Sequence, residues 1–171
     1  MATFYVSKSG NDSNDGATSG TAKLTIGAAI TLVNAAVGGG IGTNIITIGD
    51  GTYTETITYS LSNLTIKSTS SDRTVVIITQ SSGATILLAK GTTGNVFQHL
   101  TIQNTDNTHN DAGIYGANGG SGSWATFTIE DCIFDCKRRI HHRCFYQAHP
   151  SCNFLIKALV LILDQYLGSI F

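Results

Sequence analysis

The chain has 171 residues, 42% of them hydrophobic and only 12% charged, with 19 glycines, one proline and a formal net charge of −1. That length buries one modest core rather than several, and the composition suits strands and tight turns better than helices. A charge so close to zero provides no basic field, which argues against nucleic acid as a partner.

The opening Met1-Ala-Thr-Phe-Tyr-Val-Ser lacks both a charged start and a long apolar run, so it does not read as a secretory signal. Residues 8–20 form a polar loop of Gly, Asn, Asp and Ser, which fold back on their own backbone. A helix follows. Thr25 stands at its N-cap, Ile26, Ala29, Ile30, Val33 and Val37 make one apolar stripe, and Gly38-Gly39-Gly40 stops it. An amphipathic helix ahead of a strand stack predicts a cap, because it covers the open apolar end and blocks pairing with another chain.

Period and turn residues then predict strands over 44–49, 53–59, 64–68, 74–80, 84–89, 95–103 and 126–136. Three of these segments share one phrase: Leu61-Ser-Asn-Leu64-Thr-Ile66, Phe97-Gln-His-Leu100-Thr-Ile102 and Ile129-Glu-Asp-Cys132-Ile-Phe134. The copies lie 36 and then 32 residues apart, in the range of stacked repeats. A unit that short cannot bury its own apolar face and must stack on a neighbour, which makes a solenoid. Two further strands between the first two copies give three strands per turn, and apolar runs such as Thr74-Val-Val-Ile-Ile-Thr79 suit parallel pairing between turns.

Three ordered motifs add a resemblance: Tyr5-Val-Ser-Lys-Ser-Gly10-Asn-Asp12-Ser-Asn14-Asp-Gly16, Leu24-Thr-Ile26-Gly-Ala-Ala-Ile30, and Ile46-Thr-Ile48-Gly-Asp-Gly51-Thr-Tyr53-Thr-Glu55. Together they resemble the opening of right-handed parallel β-helix proteins of the pectate-lyase-like superfamily. The proline that relatives carry before the helix is replaced around Ala22. The resemblance implies an all-β solenoid with an N-terminal capping helix, an extracellular or cell-surface location and a polysaccharide partner. It does not by itself imply catalysis.

Superposing the three copies aligns Asn63, His99 and Asp131, then Thr65, Thr101 and Ile133, then Lys67, Gln103 and Asp135. These outward columns would form a polar strip, with Lys67, His99, Gln103, Asp131 and Asp135 bonding sugar hydroxyls and Trp124 or Tyr115 supplying a ring. Outward residues of a solvated sheet are also polar for no further reason. A hydrolase would need two carboxylates across a scissile bond, and Glu130, Asp131 and Asp135 are the candidates for catalysis. Asp106 and Asp111, on the preceding loop, are oxygen donors suited to calcium; no other cofactor is indicated.

Cys132, Cys136, His141, His142, Cys144, His149 and Cys152 are dense enough to suggest zinc, but their spacing matches no recognised site. Disulfides or free thiols are the alternatives. Thr52, Thr54, Thr56 and Thr58 alternate as an ice-binding face would, yet adjacent turns provide no matching array, so strand propensity explains them.

Composition breaks near residue 136. The net charge is −5 before Lys137 and +4 from there on, and threonine is absent after Thr128. Two regions result: 1–136, the helix and first coils, and 137–171, a tail that is either a terminal element or sequence from another reading frame. Its apolar run over 154–163 is interrupted by Lys157 and too short to span a membrane, and Ile156, Leu159, Val160, Leu163, Leu167 and Ile170 recur at helical spacing. The function expected is that of a surface module contacting polysaccharide, a non-catalytic fragment of a longer protein. A polysaccharide lyase or glycoside hydrolase lacking some active-site turns is the competing reading, and a structural or adhesin spacer the third.

Overall fold

A computed structural model describes residues 1–37, 43–89, 91–105, 113–116, 125–136, 145–146 and 155–163. Strand β1 (Thr3–Val6) and helix α1 (Ile26–Val37) come first. One turn then holds β2 (Asn44–Ile48), β3 (Gly51–Thr54) and β4 (Ile57–Tyr59), and the next β5 (Leu64–Ser68), β6 (Val76–Gln80) and β7 (Ile86–Leu88). Strands β8 (Asn95–Gln98), β9 (Thr101–Asn104) and β10 (Ile114–Gly116) make the third, followed by β11 (Phe127–Cys136), β12 (Phe145–Tyr146) and β13 (Leu155–Leu163).

Each strand pairs in parallel with its counterpart one turn later, so the coil has three faces. The first runs β1-β2-β5-β8-β11 and the second β3-β6-β9-β11, joined because β11 crosses both; the third runs β4-β7-β10-β12. Inward side chains stack by identity of register. Ile46 lies beside Ile66, Ile66 beside Phe97 and Phe97 beside Ile129. On the other faces Tyr53, Ile78, Ile102 and Phe134 form one column, and Ile57, Ile86 and Ile114 another. All are buried in a single core. A fully buried aliphatic or aromatic side chain contributes about 1.5–3 kcal/mol by leaving water, which is why rungs too small to fold alone cohere as a stack.

The apolar triplets point inward in all three copies, but the first copy is not in register with the others. Ile66 pairs with Phe97, not with Ile102, while Thr101 and Ile102 pair with Ile77 and Ile78. The phrase encodes a bend rather than a strand. Its third residue, Asn63, His99 or Asp131, has a φ of 58°, 54° or 49°, the left-handed region that Asn, Asp and His tolerate better than most residues. Copy one makes the bend from the third face into the first; copies two and three make the bend from the first into the second.

The strands expected over 53–59 and 95–103 are each two short strands. The second of these breaks at the left-handed His99. Helix α1 has the expected start: Thr25 Oγ1 accepts the Ala28 N–H at 3.2 Å. It buries Ile26, Ala29, Ile30 and Val33 against the coil. The helix expected in the tail is instead β13, paired in parallel with β11. A continuous apolar run such as Leu155-Ile-Lys-Ala-Leu-Val-Leu-Ile-Leu163 fits helical and parallel-strand spacing equally, and the neighbouring strand decides.

Candidate functional site

The outer surface around the bend between the first two faces carries three adjacent polar columns. On the first face, Thr47, Lys67, Gln98 and Glu130 follow one another from turn to turn. On the second, Thr54, Thr79, Gln103 and Asp135 do the same. At the bend itself His99 and Asp131 stand on successive turns. Parallel pairing sets the step between members at about 4.8 Å.

Hydrogen bonds run along these columns as well as within them. Thr79 Oγ1 donates to Gln103 Oε1 at 3.0 Å, and Gln103 Nε2 donates to Asp135 Oδ2 at 2.7 Å. Gln98 Nε2 donates to Glu130 Oε2. At the bend Arg73 Nη1 donates to Asp131 Oδ1, and His99 Nδ1 lies 3.2 Å from Asp131 Oδ2. Arg73 is held there by its own backbone: its carbonyl accepts the Thr101 hydroxyl at 2.8 Å, and Asp72 Oδ1 accepts the N–H and hydroxyl of Thr74 at 2.8 and 2.6 Å. Those bonds hold the Asp72 carboxyl below the ordinary carboxylate range.

His99, Asp131, Gln103 and Asp135 thus take the register expected of them, one above the next. Lys67 does not share a column with Gln103 and Asp135; it lies across the bend, beside Gln98. Its displacement follows from the first copy of the phrase making a different bend. The three carboxylates expected to act together are separated along β11, Glu130 before the bend, Asp131 in it and Asp135 beyond it, and each accepts from a different donor. Arg73, Gln98 and Thr79 escaped the sequence reading. The register of 74–80 against 98–104 would have brought Arg73 to Asp131.

Among the described residues no group of three or more His, Cys, Asp or Glu is arranged to hold a metal ion. Asp106, Asp111, Trp124 and the side chain of Tyr115, expected for calcium or ring stacking, lie outside the described residues. So do the side chains of Cys136, His141, His142, Cys144, His149 and Cys152. Cys132 points into the core as a free thiol, its Sγ 3.5 Å from the Phe97 carbonyl. Burial pushes it up to about 11, which suits a packing residue rather than a metal ligand.

Two solved structures are similar in fold. Pectin methylesterase PemA from Erwinia chrysanthemi superposes with a TM-score of 0.50 at 16% identity, over 80% of this chain and 50% of that one. A pectin methylesterase variant in complex with a hexasaccharide superposes at 0.51, also at 16% identity, over 82% of this chain and 51% of that one. The chain folds as a right-handed parallel β-helix. This β-helix spans about half the length of the solved structures it matches. No family model matches it, and no curated protein does. Among the described residues no helix is long and apolar enough to cross a membrane.

Proposed function

We propose that this β-helix is an extracellular or cell-surface module that contacts polysaccharide along the three polar columns, with Lys67, His99, Gln103, Asp131 and Asp135 as contact residues. The observation that carries the reading is the register itself: hydrogen-bonding side chains repeat from turn to turn along the coil axis, as a linear ligand with repeating hydroxyls requires. Both structural neighbours are pectin methylesterases, one of them in complex with a hexasaccharide, which supports a glycan as the ligand class. Helix α1 serves as the cap over the first coil, and residues 1–136 form the binding unit.

Retention of the full chain in affinity gels containing pectin, with dextran as the uncharged control, tests this. Lys67→Ala combined with Gln103→Ala is expected to weaken retention at least about fivefold, since each lost hydrogen bond to a ligand is worth roughly 0.5–1.5 kcal/mol. Equal migration of wild type and variant through every polysaccharide would leave a structural spacer as the function.

A further inference from the structure

The outer surface of the first face carries two columns side by side, and both run unbroken through five rungs. Thr3 lies beside Ile45, Ile45 beside Thr65, Thr65 beside Val96 and Val96 beside Thr128. Two positions further along each strand, Tyr5 lies beside Thr47 and so begins the column of Lys67, Gln98 and Glu130. Alternation directs these residues away from the buried Ile46, Ile66, Phe97 and Ile129, and all but the buried Thr47 keep part of their surface in contact with water. Strand propensity accounts for β-branching at every position of the Thr3 column. It does not account for the order, hydroxyl and aliphatic on alternate rungs.

Tyr5 is the ring of this surface. Its N–H donates to the Gly16 carbonyl and its carbonyl accepts the Lys23 N–H, each at 2.8 Å, so the polar loop fastens the rung that carries it. A phenol ring presents a wide apolar face with a polar tip, suited to the C–H face of a pyranose. The two columns include one cation, Lys67, and one anion, Glu130, and their charges cancel. Across the bend the ion pair of Arg73 and Asp131 adds no net charge, and Asp135 adds a negative one. A polyuronate, with a carboxylate on every sugar, finds no complementary field here. A neutral glycan meets no such mismatch.

We infer that the first face binds a neutral, extended, β-1,4-linked glycan along the coil axis, with one pyranose stacked on Tyr5 and the threonine hydroxyls of the neighbouring column meeting every second sugar. The inference rests on the polysaccharide reading above and deepens it. In such a ribbon successive sugars are turned by half a revolution, so one edge presents the same group at every second sugar. Thr3, Thr65 and Thr128 present a hydroxyl at every second rung, and Ile45 and Val96 meet the ribbon between them. One rung advances about 4.8 Å, close to the length of one extended pyranose, so the match persists along the face. A chain with a threefold screw repeats its groups at every third sugar and falls out of step. The steps from Tyr5 to Glu130 add up to roughly 19 Å, room for about four sugars. A flat ribbon of this kind is held by a flat face and needs no cavity.

Isothermal titration calorimetry of the full chain with cello- and manno-oligosaccharides of two to six sugars, beside retention in gels containing glucomannan, pectin or dextran, tests the inference. Affinity is expected to rise with length up to about four or five sugars and then level off, and glucomannan is expected to retard the chain more than pectin. Tyr5→Ala is expected to weaken binding at least about tenfold, and Tyr5→Phe less than about twofold because phenylalanine keeps the stacking face. Thr65→Val, which exchanges a hydroxyl for a methyl in the same shape, is expected to weaken it about fivefold. Unchanged thermal midpoints show that each variant is folded. Binding by Tyr5→Ala or Thr65→Val equal to wild type, affinity independent of length, or stronger retention in pectin than in glucomannan would overturn the inference. The last outcome leaves the polysaccharide reading intact. Absence of retention in every gel would remove that reading and this inference with it.

Discussion

At the scale of single residues, the same position of a repeated phrase serves two purposes. Asn63, His99 and Asp131 all turn the chain through a left-handed bend, but Asn63 packs under Gly94, where any added Cβ would sit 2.2 Å from Asn63 Oδ1. Gly94 has a φ of 70°, in the left-handed region that favours glycine. The His99 and Asp131 positions have an open outer side and carry the ion pair with Arg73. The residue that follows each bend residue is Leu64, Leu100 or Cys132, and all three are fully buried. Cys132 therefore behaves as a small hydrophobe whose thiol is pushed up to about 11 by burial. Alkylation by iodoacetamide at pH 8, read by peptide mass mapping, is expected to spare Cys132 in the native chain and to modify it fully in guanidinium. Rapid native labelling at Cys132 would show that the third repeat does not pack as described.

At the scale of elements, α1 is fastened to the coil through its first turn. Glu55 accepts the N–H groups of Ile26 and Gly27 at 2.9 and 3.0 Å, and Asp12 accepts those of Leu24 and Thr25 at 2.8 and 2.9 Å and the Thr25 hydroxyl at 3.0 Å. Both place negative charge at the positive end of the helix. Asp12 loses some solvation there, but the Thr25 and Leu24 bonds and nearby Lys23 outweigh it and hold its carboxyl below the ordinary value. The sign follows: a carboxylate depressed on folding stabilises the native state above its unfolded pKa, near 3.9, and that contribution is lost as pH falls through the lower folded value. Asp12→Asn is expected to flatten the acid limb of a stability-versus-pH curve below about pH 4. Glu55→Ala is expected to lower stability at pH 7 by about 1 kcal/mol, the usual cost of a lost helix cap. Urea melts across pH 3–7 measure both, and parallel acid limbs for wild type and Asp12→Asn would contradict the account.

Much of this was legible in residue order. Thr25 and the stripe from Ile26 to Val33 announced the helix, and the spacing of Leu64, Ile66, Phe97, Leu100, Ile102 and Phe134 announced inward faces. Short strands broken by a single left-handed residue were not read as such: the two successive outward residues Gln98 and His99 interrupt the alternation between inward Phe97 and Leu100, but no Gly or Pro marks the turn, so Asn95-Val-Phe97-Gln-His-Leu100 reads as one strand until the backbone is known. Register failed for a related reason. Local pattern fixes which side chains face inward, but the number of strands between two bends is a property of the whole turn. Arg73, in a polar turn, reaches Asp131 only through that long-range register.

At the scale of the molecule, stability in a solenoid is a sum of rungs and the interfaces between them, so the last interface is as informative as the first. Strand β13 follows the compositional break at residue 136, yet it pairs with β11 along both the first and the second face, from Thr128↔Leu155 to Cys136↔Leu163, with register shifts around Glu130 where β11 bends. Strand β12 likewise extends the third face from β10. If these pairings stabilise the coil, a chain ended at Cys136 loses one interface and bares the edge of β11. Its thermal midpoint is then expected to fall by at least about 5 °C, the shift produced by roughly 2 kcal/mol in a chain of this size, and exposed edge strands are expected to promote association on standing. Residues 137–171 belong to the coil if calorimetry shows that fall. A truncated chain that melts at or above the full-length midpoint would instead assign all of the folding free energy to residues 1–136, and would confine the working surface to the columns that end at Glu130, Asp131 and Asp135.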